Sequence, residues 1–231
     1  MKTKSVTMAA CSIVALSMVS ARATLQVTDG NFSANPVQTN NVTGWFDTVN
    51  ATPAYWWETT WAGPNVSPNG TPVLGLSYMF TTLNWAYQSI GVNDGALSSL
   101  GITYDVGSFT DAGGLRDLGV TFSVYRVDGT YAGGADNVDI NGATGATLLD
   151  TVTIFSGPLN PGQMLTGQTV TLDISGSTGS QLFLRLQNAV GTVGEPWVAV
   201  DNLAVAPVPE PAAFALMGLG GLALLLRRRS A

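Results

Sequence analysis

Between residues 24 and 206 no stretch carries a capped apolar period of 3.6 residues, whereas short runs of Val, Thr, Leu and aromatic residues recur between Gly, Asn, Asp and Pro. Amphipathic helices require the first pattern and half-buried strands produce the second, so the interval reads as β structure throughout. The clearest alternation is Val120-Thr-Phe-Ser-Val-Tyr-Arg-Val, which puts Val120, Phe122, Val124 and Arg126 on one face. Strands are predicted over 24–29, 44–48, 54–61, 73–82, 86–91, 96–106, 119–128, 147–155, 169–174, 181–188 and 197–205, with long loops over 111–114, 132–145 and 157–167. Short strands with one apolar face bury it by packing sheet on sheet, which predicts an all-β antiparallel sandwich. An interval of this length can build a core without disulfides, and no internal repeat divides it.

The two ends have a different texture. Lys2 and Lys4 precede an apolar stretch from Met8 to Val19 and an A-x-A site at Ala21-Arg22-Ala23, the layout of a secretory signal peptide over 1–23. The single cysteine, Cys11, lies inside it, ahead of most of the apolar run, so it is not placed for lipidation and the exported chain carries no thiol. At the other end Val208-Pro209-Glu210-Pro211 is followed by fifteen uncharged, mostly apolar residues and then by Arg227-Arg228-Arg229. The prolines cannot continue a helix and leave the backbone extended for a processing enzyme. A helix over the apolar run reaches about 23 Å, short of the ~30 Å hydrocarbon core, so the arginines must snorkel or the bilayer thin. Held cytoplasmic, those arginines place everything before them across the membrane.

In this order of proline break, apolar segment and arginine stop, residues 207–231 resemble the PEP-CTERM sorting signal of Gram-negative bacteria that make exopolysaccharide. The resemblance implies recognition by an exosortase, a membrane cysteine protease-transpeptidase that cuts near Pro209-Glu210-Pro211. The protein would be held transiently by its C-terminal helix and delivered to the envelope or extracellular matrix.

Without the two ends, residues 24–206 keep three basic residues, Arg116, Arg126 and Arg185, against fourteen acidic ones. That balance disfavours nucleic acid and other polyanions. The interval has no Lys and the chain no His, which excludes Schiff-base chemistry, histidine bases and His-ligated zinc. Only carboxylates, hydroxyls and aromatic rings remain for chemistry. A glycosidase needs two carboxylates facing each other across a cleft. Glu58 and Glu195 are the interval's only glutamates and neither has an Asp paired with it in a local motif, so the expectation is a protein that is not an enzyme. A carboxylate-dependent carbohydrate-active enzyme is the alternative.

Val27-Thr-Asp-Gly-Asn-Phe, Gly44-Trp45, Tyr87-Gln88-Ser-Ile90, Phe183-Leu-Arg-Leu and Val200-Asp201-Asn202-Leu203 resemble a galactose-binding-like jelly roll, a fold shared by many carbohydrate-binding modules. The chain departs from it at Ser33, where an acidic residue is usual. The resemblance implies a structural Ca²⁺ where the first and last strands meet, and Asp29, Asn31 and Asp201 are the matching oxygen donors. A second loop, Asp136-Asn137-Val-Asp139-Ile-Asn141-Gly142, spaces oxygens like the front of a calcium loop but has Leu148 where an EF-hand has its Glu, and reads as a solvated turn.

Four of the six tryptophans fall between positions 45 and 61. Indole faces stack on sugar C–H faces while neighbouring carboxylates and amides supply directional hydrogen bonds, so Trp56, Trp57, Trp61 and Glu58 form a candidate glycan platform. The competing reading places most of these rings in the core. The expected function is thus a secreted structural or adhesive protein with an extracellular polysaccharide as partner.

Overall fold

The computed structural model describes residues 25–37, 39–48, 60–64, 66–76, 78–79, 82–94, 97–131, 133–189 and 197–208. These residues contain strands β1 (Phe46–Asp47), β2 (Thr60–Gly63), β3 (Val73–Leu76), β4 (Tyr78–Met79), β5 (Thr82–Leu83) and β6 (Trp85–Val92). They continue with β7 (Ser99–Ser108), β8 (Arg116–Val127), β9 (Ala146–Leu159), β10 (Met164–Asp173), β11 (Gln181–Ala189) and β12 (Val198–Pro207). One sheet runs β1-β6-β11-β8-β9, the other β10-β7-β12-β3-β2, and β4 pairs with β5 apart from both. All pairings are antiparallel. From β6 onward the chain changes sheet at every connection except β8 to β9. The result is a jelly-roll-like sandwich, with no helix among the described residues.

The alternation that predicts β8 fixes how the sheets face. Val120, Phe122 and Val124 lie inward with Leu182, Leu184 and Leu186 of β11, against Leu100, Ile102, Tyr104 and Val106 of β7 and Val198 and Val200 of β12. Tyr104 and Phe122 meet across the layer with ring centroids 4.6 Å apart. Each aliphatic buried in this way contributes about 1.5–3 kcal/mol. Arg126, at the end of that face, stays exposed and donates from Nη1 to the Gly176 carbonyl at 2.9 Å.

Three segments differ from the sequence reading. Residues 25–29 are not a strand, although Leu25 is buried and Gln26 donates to the Ile90 carbonyl. The buried Gln88 amide does the work of a neighbouring backbone there, accepting from Thr28 N at 2.9 Å and donating to Thr28 O at 3.1 Å. The predicted strand over 73–82 is broken into β3 and β4, with β5 folding back on β4. Residues 157–167, read as a loop, are instead mostly the end of β9 and the start of β10, and the chain crosses from one sheet to the other in a tight turn over 160–163, where Gln163 N donates to Asn160 O at 3.0 Å. Gly157 and Gly167, with φ of 71° and 64°, sit at register shifts in the two strands, and Pro158 lies in an edge strand that can spare its N–H.

Candidate functional site

The outer face of the first sheet is built from side chains that alternate against the core set. Directly paired residues share a face, which lines up Phe46, Tyr87, Arg185, Ser123 and Thr151 in one row and Phe183, Tyr125 and Leu148 in the next. Trp85, Tyr87, Tyr125, Phe183 and Ile140 form a buried cluster against which Phe46 and Tyr131 pack. Toward β9 the face turns polar, with Thr121 bonded to Thr153 at 2.8 Å and Ser123 to Thr151 at 2.9 Å.

The connection between β8 and β9 covers the aromatic half. Tyr87 donates its hydroxyl to the Val138 carbonyl at 2.9 Å and accepts from Gly134 N at 3.2 Å, and Tyr131 reaches the same oxygen at 3.3 Å. Tyr125 donates to Asn141 Oδ1 at 3.2 Å. Arg185 grips Asp139 with Nε at 2.7 Å and Nη2 at 2.6 Å, and gives Nη1 to Gln187. The stretch 136–142 is therefore not a free turn: Asp139 holds a strand arginine and Ile140 is fully buried. Burial beneath the loop and the hydrogen bond to Tyr87 push the Tyr131 hydroxyl above the ordinary tyrosine range.

Next to Phe46 in the edge strand β1, Asp47 pairs with the core residue Ala86, lies on the inner side of the sheet and is fully buried. Its Oδ2 accepts from Val42 N at 2.8 Å, while Oδ1 has no hydrogen-bond partner among the described residues. Burial, reinforced by the neighbouring charge of Asp136, raises its pKa to about 7 against the opposing Val42 N–H.

The residues singled out from the sequence fall in separate places. Trp56, Trp57, Glu58 and Glu195 lie outside the described residues. Trp61 belongs to β2, the edge of the second sheet, in register with Gly75, which is itself opposite Ala199. Trp45 is a core residue whose ring centroid is 5.8 Å from that of Phe32.

The first turn does meet the last strand, through Leu203 N donating to Gly30 O at 2.8 Å. The residues expected to donate to calcium have hydrogen-bond partners of their own. Asp29 accepts from Ser33 Oγ and Ala34 N, and Asn31 Oδ1 from Ser33 N. Asp201 accepts from Asn69 Nδ2 at 3.0 Å, Thr71 Oγ1 at 3.4 Å and Asn202 N at 2.7 Å. Burial, with Asp105 across the ladder adding its charge, raises the Asp201 pKa. No group of three or more His, Cys, Asp or Glu among the described residues is placed to hold a metal ion.

Sequence reasoning passed over the covered aromatic face and Asp47. Its signal was present: Trp85 and Tyr87 alternate against Ala86 in β6, and two opposed apolar sets in one strand mean that both faces are buried.

β12 ends at Pro207, and Val208, which donates to the Ser99 carbonyl at 3.3 Å, is half-exposed at the start of the tail. Residues 209–231, with the rest of the sorting motif and the expected apolar helix, lie outside the described residues, as do residues 1–24.

In fold the chain is similar to a cyclase from Fischerella sp. TAU, with 15% sequence identity over 81% of this chain and 98% of that one and a TM-score of 0.56. A cyclase from the same source in complex with 4-(1H-indol-3-yl)butan-2-one gives 16% identity over 81% and 100%, with a TM-score of 0.52. The CBM22-1 xylan-binding domain from Paenibacillus barcinonensis Xyn10C gives 15% identity over 83% and 99%, with a TM-score of 0.44. No curated protein matches. A family model, the PEP-CTERM protein-sorting motif, matches residues 207–229. The chain thus carries a PEP-CTERM sorting signal, joined directly to the last strand of its sandwich, which implies export and sorting to the envelope of a Gram-negative bacterium.

Proposed function

We propose that the sandwich is a non-catalytic envelope or matrix protein, delivered by an exosortase and serving as an adhesive contact with extracellular polysaccharide. The observation that carries this reading is the sorting motif at 207–229, which begins where β12 ends. With so little chain between fold and motif, processing near Pro209-Glu210-Pro211 leaves the domain close to whatever holds its new terminus. The N-terminal signal peptide and a transient C-terminal membrane helix are part of the same reading, and so is contact with the glycan through Trp56, Trp57, Trp61 and Glu58. A domain with three arginines and no lysine meets an uncharged polymer more readily than a polyanionic one.

Intact-mass analysis of the protein from its producing cells is expected to show cleavage after Ala23 and loss of the arginine cluster. Recovery of the uncut chain in the cytosol would remove the sorting and export reading. In polysaccharide pull-down, Trp56→Ala and Trp57→Ala are each expected to weaken retention about tenfold, the scale of one aromatic stacking contact with its buried area. Turnover of a polysaccharide that disappears in Glu58→Gln or Glu195→Gln would replace adhesion with catalysis.

A further inference from the structure

We propose that a cavity beside Trp197, on the second sheet, is a seat for one uncharged sugar ring. It goes beyond the reading above, because it uses none of the residues assigned there to glycan contact. The cavity measures about 140 Å³ and is lined, among the described residues, by Phe109, Asp111, Ala112, Gly113, Arg116 and Trp197.

Its walls are fixed by the fold. Phe109 follows β7 and, with Val73 and Ala199, forms a small buried cluster that Val66, Met164 and Trp197 pack against. Thr110 N donates to the Val66 carbonyl at 3.0 Å, and Ala112 N to the Phe109 carbonyl at 3.2 Å, which holds the turn that carries Asp111. Trp197 immediately precedes β12. Its Nε1 is buried without a hydrogen-bond partner among the described residues, and the indole lines the cavity.

Arg116, the first residue of β8, is set apart by what the other two arginines of the domain do. Arg126 is held by the Gly176 carbonyl and Arg185 by Asp139 and Gln187. Among the described residues the Arg116 side chain forms no hydrogen bond or ion pair, and its Nη2 lies 3.4 Å from the position a Cβ on Gly113 would take. Its guanidinium thus lies over the 112–114 turn with its donors unspent.

This lining selects by exclusion. An apolar ligand would strip water from Arg116 and Asp111 and return no hydrogen bonds. A free anion meets the Asp111 carboxylate and the excess negative charge of the whole domain, and a free cation meets Arg116. A neutral polyol ring satisfies both at once: its hydroxyls accept from the guanidinium and donate to the carboxylate, while its C–H face lies on aromatic surface. The cavity's size is that of a single ring, so the occupant is a free monosaccharide or the end of a chain.

The test is calorimetric titration of purified full-length protein with xylose, glucose, galactose and mannose, and with glucuronate as the charged comparison. At least one neutral sugar is expected to bind saturably at one site. Arg116→Ala and Asp111→Asn should each weaken it about tenfold or more, the effect of losing a charge-assisted hydrogen bond. Trp197→Phe, which keeps an aromatic wall, should weaken it less. Trp56→Ala and Trp61→Ala should leave the titration unchanged even where they abolish polysaccharide retention, which separates the two sites. Absence of saturable binding by all four neutral sugars, undiminished binding in Arg116→Ala, or tighter binding of glucuronate than of glucose would each overturn the proposal.

Discussion

Asp139→Ala is expected to lower the unfolding free energy by about 3 kcal/mol and the melting temperature by roughly 6–12 °C. The reason is the partner it leaves behind. Arg185 sits in the middle of β11 with its side chain 3% exposed, and its charge is met by both oxygens of Asp139, whose side chain is 28% exposed. Once that carboxylate is gone, the guanidinium keeps Gln187 and little else, and an uncompensated buried charge is the costly outcome of breaking such a pair. The exposure of Asp139 keeps the figure at the low end of the range for fully buried pairs. Replacing the arginine should be milder. Arg185→Met fills the same volume without a charge and leaves a carboxylate that can turn to water, so about 1 kcal/mol is expected. Asp139→Asn, which still accepts one hydrogen bond, should fall between them. Urea unfolding of the three purified variants gives the order directly. If Arg185→Met costs as much as Asp139→Ala, the stranded-charge explanation is wrong and the loop is held by something else.

That loop also marks the limit of what could be read from the sequence. The alternation through Val120, Phe122 and Val124 identifies β8 and its inward face, because a period of two is a local property of the chain. The loop predicted from composition over 132–145 is matched by the described residues 133–145, which form neither strand nor helix. Where it lies is not local: Asp139 finds Arg185 forty-six positions away, and only the pairing of β8 with β11 brings the two together. The same holds at the start of the chain. Of the β-like segment predicted over 24–29, the described residues 25–29 are irregular, and Gln88 presents a side-chain amide where a strand would present its backbone. Gly157, Pro158 and Gly167 read as breakers, yet in the edge strands β9 and β10 of the two sheets they mark register shifts within strands that continue through them. The sorting motif was legible, since it is recognised as a linear order of residues and needs no fold to be read. The tryptophans were legible only as a density. Trp45 turned out to be core, and the register of β2 places Trp61 opposite Gly75 at the sheet's rim, a distinction that spacing alone does not carry.

Asp47→Asn is expected to act in the opposite direction and to stabilise the protein, with an effect that grows with pH. Asp47 is fully buried, so its charged form is opposed by lost hydration first and by Asp136 second, and its pKa rises from 3.8 to about 7. Between these values the folded chain holds a proton that the unfolded chain has released. Proton binding to the folded state then exceeds that to the unfolded state, and by linkage stability falls as pH rises. The contribution is fully present below about pH 4, declines up to about pH 7 and is flat above. A shift of this size corresponds to about 4 kcal/mol over the window. Asparagine cannot ionise, yet its carbonyl can accept from Val42 N and its amide can face the Asp136 carboxylate, so the geometry survives without the penalty. At pH 8 the variant should exceed the parent by about 3 kcal/mol, and at pH 4 the two should agree within about 1 kcal/mol. The consequence reaches the covered face. Asp47 O accepts from Asn137 N at 2.9 Å and Asp47 N donates to Asp136 Oδ1 at 3.4 Å, so ionisation loosens the anchor of the loop itself. Amide exchange across 133–145 should therefore accelerate from pH 5 to pH 8 in the parent after correction for intrinsic rates, and remain level in Asp47→Asn. Parallel unfolding curves for the two proteins from pH 4 to pH 8 would show that Asp47 ionises as freely in the fold as in the unfolded chain.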